Sequence, residues 1–570
     1  MAERSIEDCT VAEAYLALLA DRGVDYFFAN AGTDFTPLIE AFAKASALGL
    51  PAPKPIAVPH ENVAMALAMG YTMVSGKPQV VMVHTNVGTA NALCQMLNTN
   101  RLNLPVLVAA GRTPFAEDGI AGGRSIDIHW TQEMFDQAGM VREAVKWDYE
   151  LRDAGQLEAV VDRALNMANS LPKGPVYLTL PREVLAKEVS NFSYSPAAHH
   201  AGATAPHPDM NAIDQLAEIV AAAENPMIVT SQLGNIPEAV DAVSGLADRF
   251  AIPVSQYRPR CMNLPSAHSM HVGFDPAPWI AAADVIIAVE CEVPWIPRLK
   301  KPDTGCKVAQ IAADPLYSGA PHRGFRADFA ITAAADISLK ALAEALDTRL
   351  GEANDRVAAR RRRIEQERHA QQEERRGMLA DISSSQPAHP AWISHCLNEV
   401  IGGDAVVMRE SPLDLGYLER SEPRSLFGGA SGLGWGLGGA IGAKLANPER
   451  LVVATEGDGA YMFANPVSAH YVAAAHDLPF LTVIFNNQRW QAVGQAVRAM
   501  YPEGYAAKSN TEPLTELKPS PKFEQVVTAS DGYGARIEDP AAIPGALETA
   551  LKEVTVNKRQ AVLNVICGAG

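Results

Sequence analysis

Asp458 lies between two glycines in "ATEGDGAYMF" (454–463), directly after the apolar run "LVVA". A carboxylate at the end of a buried strand costs free energy unless a cation or hydrogen bonds compensate it. A second polar pair, Asn486-Asn487, closes the apolar stretch "FLTVIF", and residues 460–485 separate it from the glycine–aspartate–glycine triplet. Carboxylate and carboxamide oxygens are hard ligands suited to Mg²⁺, which takes a few protein oxygens and fills its remaining positions with phosphate and water. Gly457 and Gly459 let the backbone turn and approach an anion closely. The intervening sequence reads as one helix (about 465–476) and one strand, so both motifs fall at the carboxyl ends of parallel strands. That is where open α/β sheets place their ligands.

The elements that must position these residues recur along the chain. Near the N-terminus, "PIAVPH", "QVVMVH" and "PVLVAAG" read as strands, and "ENVAMALAMGYTMV" and "GTANALCQMLNTN" read as the helices between them. A middle block offers "PMIVTS", "DVIIAVE" and "KVAQIAADP", and a last block offers "DAVVMRE", "LVVATEGDG", "FLTVIFNN" and "AVLNVICG". Strands alternating with helices argue for parallel sheets, so the expected class is α/β with three doubly wound domains. The expected boundaries are 1–190, 205–350 and 386–570, with the polar stretch 193–209 as one linker and a charged helical linker at 351–385. The core of that second linker, "EANDRVAARRRRIEQERHAQQEERR" (352–376), reads as a solvated helix.

Composition excludes several function classes. The 570 residues are 48% hydrophobic and 20% charged, with a net charge of −17, which disfavours nucleic acid or an acidic membrane as partner. No apolar run reaches the ~20 residues of a membrane span, and "MAERSIEDCT" lacks the apolar core of a signal peptide. The seven cysteines are scattered without a CxxC pair, so a reducing, cytoplasmic setting is expected, with neither disulfides nor a zinc site. No GxGxxG follows a strand, which disfavours a nicotinamide-dependent oxidoreductase.

The GDG–NN spacing resembles the cofactor signature of thiamine diphosphate (ThDP) enzymes. Nearly the whole chain resembles their 2-oxo acid decarboxylase and acetolactate synthase group, nearest in pattern to benzoylformate decarboxylase. The resemblance implies ThDP and Mg²⁺ as cofactors, in pyrimidine-binding, middle and diphosphate-binding domains. It implies a homodimer or homotetramer with active sites at the subunit interface. Asp458, Asn487 and the Arg489 carbonyl become the implied metal ligands, and Gly457, Gly459, Ala460, Ser411 and Asn91 implied cofactor contacts. The family requires a glutamate at a helix start in the first domain, and Glu61 in "VPHENVAMALAMGY" fits. A carboxyl group there holds N1′ of the aminopyrimidine, so that N4′ can take the proton from C2 of the thiazolium. Alone, Glu61 also reads as a first-turn carboxylate facing the helix dipole. Leu433 in "GGASGLGWGLGGAIGAKLA" matches the bulky residue beneath the cofactor, or is a core leucine.

The branch of the family is read from "VMVHTNVGTANALC". His84, followed by Gly88-Thr89-Ala90-Asn91, resembles the benzoylformate decarboxylase pattern, in which the histidine relays protons; the other reading is a hydrogen-bonded core histidine. Thr33 in "FFANAGTDFTPLIE" stands where that enzyme has a serine contacting the substrate carboxylate, or is a local turn or cap residue. The decarboxylase's second histidine, from the middle domain, has no counterpart in "CEVPWIPRLKK". Trp295 is expected there, shaping a substrate pocket or merely packing, with Trp490 and Ala492 on the substrate side. No flavin signature appears in the middle block, so FAD is not expected. The expected reaction is cleavage beside the carbonyl of a 2-oxo acid, with decarboxylation and carboligation both open; an acetolactate synthase-like ligase, another C–C lyase or a non-catalytic homologue are the alternatives.

Overall fold

Runs of buried, β-branched strands alternate with helices, and each run closes into its own parallel sheet. The computed structural model describes residues 3–196, 198, 201–351 and 354–568. The first sheet has six strands in the order Lys54–Ala57, Tyr26–Ala29, Gln79–Val83, Val106–Arg112, Val176–Pro181, Asp148–Glu150. The last has the order Leu426–Gly428, Val406–Glu410, Val452–Gly457, Leu481–Asn486, Ala561–Ile566, Tyr533–Ile537. The middle sheet has five, Val254–Gln256, Pro226–Thr230, Val285–Val289, Lys307–Ala312, Phe329–Thr332. Central strands such as Gln79–Val83 and Leu481–Asn486 are buried throughout, as strands covered by helices on both faces must be.

The two six-stranded sheets share one winding. In each, the chain enters at the second position, steps outward to the edge, then returns past its starting strand. The crevice at that reversal is the ligand position of doubly wound sheets. In the first sheet it lies between the ends of Tyr26–Ala29 and Gln79–Val83, which lead to Thr33 and His84. In the last sheet it lies between Val406–Glu410 and Val452–Gly457, which lead to Ser411 and Asp458.

The two sheets are joined by helices packed backbone to backbone. Helix Glu61–Ser75, which begins at Glu61, lies on helix Gly436–Ala446, which follows Leu433. A Cβ on Gly70 would sit 1.9 Å from the Gly439 carbonyl oxygen, and one on Gly442 would sit 1.9 Å from that of Leu67. Gly442→Ala is therefore expected to force the helices apart, costing about 1–3 kcal/mol, read as a lowered thermal midpoint.

Several elements differ from the sequence reading. Asp458 is not a strand residue: the strand stops at Gly457 and Asp458 opens a short helix, Asp458–Phe463, ahead of Pro466–Ala475. Residues 193–194 of the expected linker end strand Glu188–Tyr194, which pairs antiparallel with Arg4–Thr10; residues 197, 199 and 200 lie outside the described residues. The charged helix runs over Asp355–Ile382, and residues 352 and 353 lie outside the described set. It is not wholly solvated. Ile364 is buried, and the buried Arg360 guanidinium donates to the carbonyls of Phe250 and Ala223, which anchors the helix to the middle sheet's helices. Among the described residues, no helix is long and apolar enough to cross a membrane.

Candidate functional site

A cavity of about 680 Å³ opens at the reversal of the last sheet. Ser411, Leu433, Gly457, Asp458, Gly459, Ala460, Asn487, Arg489, Trp490 and Ala492 all line it, so the fold brings together ten of the residues expected from sequence. The Asn pair splits by role. Asn486 is fully buried, its amide donating to Ser520 and Asn564 at 2.9 Å each, whereas Asn487 faces the cavity. The Asn487 Oδ1 accepts the Arg489 N–H at 3.1 Å, which leaves it one further lone pair. Gly459 is required where it stands: a Cβ there would lie 2.1 Å from the Trp490 ring, which covers the turn.

Asp458 is only 4% exposed. Its Oδ1 accepts the Gly459 N–H at 2.8 Å, and its buried Oδ2 has no hydrogen-bond partner among the described residues. Burial pushes this carboxyl up from the usual carboxylate range. A buried anionic oxygen without a donor is a standing cost, and a divalent cation removes it. The donor set, a carboxylate and a carboxamide oxygen beside a glycine turn, fits Mg²⁺ bridging to phosphate.

Leu433 is not a core leucine. It is 38% exposed and presents its side chain to the cavity. Its loop is held from two sides. Gln95 donates to the Leu433 carbonyl at 2.8 Å, and Asn98 bonds the backbone of Ser431 and Gly432. On the other side the Glu410 carboxylate accepts the N–H groups of Gly434, Trp435 and Gly436 at 2.6–2.9 Å. Burial pushes the carboxyl groups of Glu410 and its neighbour Glu456 upward.

The remaining expected residues gather on the first sheet. Glu61 is buried, and its Oε2 accepts from the Asn91 amide at 3.1 Å. Thr33 and His84 share a small cleft with Asp34, His129, Gln132 and Arg182. Glu61, Thr33 and His84 do not line the large cavity of their own chain. Trp295 requires a correction. It is 4% exposed, packed edge-on against Phe325 in the apolar core of the middle sheet, and is not in the cavity lining. Apolar neighbours such as Cys291, Ile286 and Val308 draw the indole inward, so it is a packing residue.

Two members of the small cleft carry chemistry that sequence reasoning missed. The His84 Nδ1 lies 2.5 Å from Oδ1 of the buried Asp34. That hydrogen bond holds the imidazolium form above the usual histidine range, against the opposing effect of burial. The His129 Nδ1 accepts the Ser125 N–H at 3.1 Å, so a neutral ring must carry its proton on Nε2, 3.4 Å from the Thr33 hydroxyl. Burial first, then the cations Arg182 and Arg124, push His129 down. Two imidazoles in one cleft are thus driven toward opposite protonation states, the arrangement acid–base sites use. Asp34 follows Thr33 directly, but its link to His84 spans 50 residues and His129 reaches Thr33 across 96.

The Asp34–His84 bond has a pH signature. His84 is raised in the folded state, so its contribution is fully present below the unfolded value of about 6.5 and is lost as pH rises through the folded value. Asp34→Asn is expected to cost about 1.5–3 kcal/mol at pH 6 and less at pH 9. Thermal midpoints of both proteins across that range check it; a pH-independent difference would show that His84 is neutral throughout.

Comparison with known proteins meets this geometry. Residues 9–140 match the family description "Thiamine pyrophosphate enzyme, N-terminal TPP binding domain", and residues 415–565 match its C-terminal TPP binding domain. The chain is 25% identical over 506 residues to benzoylformate decarboxylase of Pseudomonas aeruginosa, covering 85% of this chain and 87% of that one. It is 24% identical to sulfoacetaldehyde acetyltransferase of Castellaniella defragrans, covering 99% and 94% of the two chains. The crystal structure of benzoylformate decarboxylase from Polynucleobacter necessarius superposes with a TM-score of 0.77 at 19% identity, over 98% of this chain and 99% of that one, and shares its fold. Both thiamine-binding halves are present, and each carries its own part of the constellation at the reversal of its sheet; the chain belongs to the thiamine pyrophosphate enzyme family.

Proposed function

We propose that this enzyme binds ThDP and Mg²⁺ and cleaves the C–C bond beside the carbonyl of a 2-oxo acid, releasing CO₂. The observation that carries the reading is the unpartnered, buried Oδ2 of Asp458 beside Asn487, in a cavity rimmed by the exposed Leu433. Asp458, Asn487 and the Arg489 carbonyl hold the metal; Ser411, Gly457, Gly459 and Ala460 receive the diphosphate; Leu433 supports the cofactor's bend. When bound, ThDP supplies a nucleophilic carbon and the electron sink for decarboxylation. Glu61, oriented by Asn91, holds a proton at the aminopyrimidine N1′. His84, with Nδ1 engaged by Asp34, carries protons on Nε2, and Thr33 meets the substrate carboxylate. Trp490 and Ala492 bound the substrate's side chain.

Neither Glu61 nor His84 lines the metal-binding cavity of its own chain, which supports a site assembled between two copies of the chain. Light scattering should then give a dimer or tetramer, and a monomer retaining activity would defeat that arrangement. The chain is similar both to a relative named as a decarboxylase and to one named as an acetyltransferase, so the test must read both kinds of product. The reaction is tested by CO₂ release from aliphatic and aromatic 2-oxo acids with ThDP and Mg²⁺, with products resolved by NMR. Aldehyde supports a decarboxylase and a 2-hydroxy ketone supports a ligase; no CO₂ from any acid overturns the reading.

A further inference from the structure

Four arginines line the large cavity of a protein whose net charge is −17, and one of them, Arg489, is already paired with Glu512. Arg409 stands at the carboxyl end of strand Val406–Glu410, and Arg258 and Arg260 follow strand Val254–Gln256 of the middle sheet. The loop carrying the latter two is welded to the last sheet: Cys261 bridges Phe427, Gly428 N–H donates to the Arg260 carbonyl at 2.9 Å, and Met262 N–H to Leu426 at 3.1 Å. Arg260 is committed, its Nη1 donating to the carbonyls of Gly429 and Ala430. Arg258 and Arg409 make no side-chain hydrogen bond or ion pair among the described residues; the guanidinium of Arg258 lies only over the Tyr257 ring, 5.7 Å from its centre. Arg258 also holds a left-handed backbone, φ 44°, which costs a non-glycine residue free energy and fixes where its side chain leaves the loop.

The acidic groups nearby do not cancel this charge. The oxygens of Glu410 are occupied by three backbone N–H groups, and Asp458 is assigned to the cation. Asp414 and Glu292 act on Arg409 and Arg260 respectively, but neither is bonded to them. Arg409 feels both neighbouring guanidinium groups as repulsion. Like charges held close together without carboxylate partners, one half-buried and one exposed, are stabilised by an anion that binds between them, and planar guanidinium forks match a carboxylate.

We propose that Arg258 and Arg409 receive a second, remote anionic group on the substrate, so that the preferred substrates are dianionic 2-oxo acids with a terminal carboxylate. This rests on the reading of the cavity as the cofactor and substrate site. The diphosphate of ThDP is the competing source of the same chemistry. The test measures binding to the ThDP–Mg²⁺ holoenzyme by calorimetry, using acids matched in length: 2-oxoglutarate against 2-oxopentanoate, and 2-oxoadipate against 2-oxohexanoate. Wild type is expected to bind the dianion of at least one pair about tenfold more tightly or better, and Arg409→Gln and Arg258→Gln to reduce that ratio toward one, with Arg409→Lys keeping part of it. The half-saturating ThDP concentration should change little. Arg258 is exposed, so its variant remains informative if Arg409→Gln fails to fold. No preference in either pair, or weakened ThDP binding with the preference intact, overturns the proposal, the latter assigning the arginines to the diphosphate. If the preference appears but no acid releases CO₂, the anion site stands and the decarboxylase reading falls.

Discussion

Glu61→Gln should lose about 10²–10⁴-fold in turnover while its thermal midpoint falls only slightly, because the carboxyl group's ability to hold a proton is what the proposed chemistry uses. Glu61 is 7% exposed, sits at the first position of its helix and has one side-chain partner, the Asn91 amide. Glutamine fills the same space and can turn its oxygen toward Asn91, so packing and that bond survive. What it loses structurally is a negative charge at a helix N-terminus, worth about 0.3–1 kcal/mol. Glu61→Asp separates the two roles. It keeps the charge at the dipole but withdraws the carboxyl by one methylene, so a dipole role predicts normal stability with normal activity. The proposed role predicts normal stability with turnover strongly reduced. Steady-state kinetics and melting curves on both variants decide between them, and full activity in Glu61→Gln would end the assignment.

The parts of the site that were legible in the sequence are those encoded within one strand and the turn after it. Asp458, Asn487 and Ser411 each follow an apolar run ending at the carboxyl edge of the same sheet, so parallel winding alone carries them to one cavity. Leu433 was legible only through its match to the family pattern; in the structure the surrounding glycines, Gly438 and Gly442 among them, make the close helix contact that fixes the loop ahead of it. Trp295 was misplaced because order along the chain says that a residue follows a strand, not which layer its side chain enters. Here Phe325 and the core around Cys291 offered the indole an apolar berth. Asp34 and His129 escaped notice because their meaning is tertiary. A histidine's protonation state depends on what meets each ring nitrogen, and those partners come from loops far apart in sequence. The charged helix shows the same limit in its packing: Arg360 and Ile364 are buried, and Arg356, Arg361 and Arg363 also bond the middle domain, contacts that composition averages hide.

Asp458→Asn should make the cofactor-free protein more stable and the cofactor-bound protein less so. In the free protein the Asp458 Oδ2 is buried without a donor, and an unsatisfied buried charged group costs about 1–3 kcal/mol or more. The amide of asparagine carries no charge and keeps an oxygen for the Gly459 N–H, so much of that cost disappears. The pH dependence fixes the mechanism. Burial raises the Asp458 carboxyl in the folded state, so the folded protein binds the proton more tightly than the unfolded chain. Stability from this group is therefore fully present below the unfolded value of about 3.9 and is lost as pH rises through the folded value. The gain from Asp458→Asn should be small at pH 4 and larger at pH 7. Adding Mg²⁺ and ThDP reverses the ranking. A ligand at 100 times its Kd stabilises the wild type by about 2.7 kcal/mol, whereas the variant, lacking the anionic metal ligand, gains little at the same concentrations. Melting curves of both proteins, with and without Mg²⁺–ThDP, at pH 4 and pH 7, test every step. If the variant melts no higher than wild type without cofactor, the free carboxylate is satisfied by groups other than a metal. If it gains as much from Mg²⁺–ThDP as wild type does, Asp458 is not the metal's anchor, and the buried aspartate between two glycines would need a different explanation.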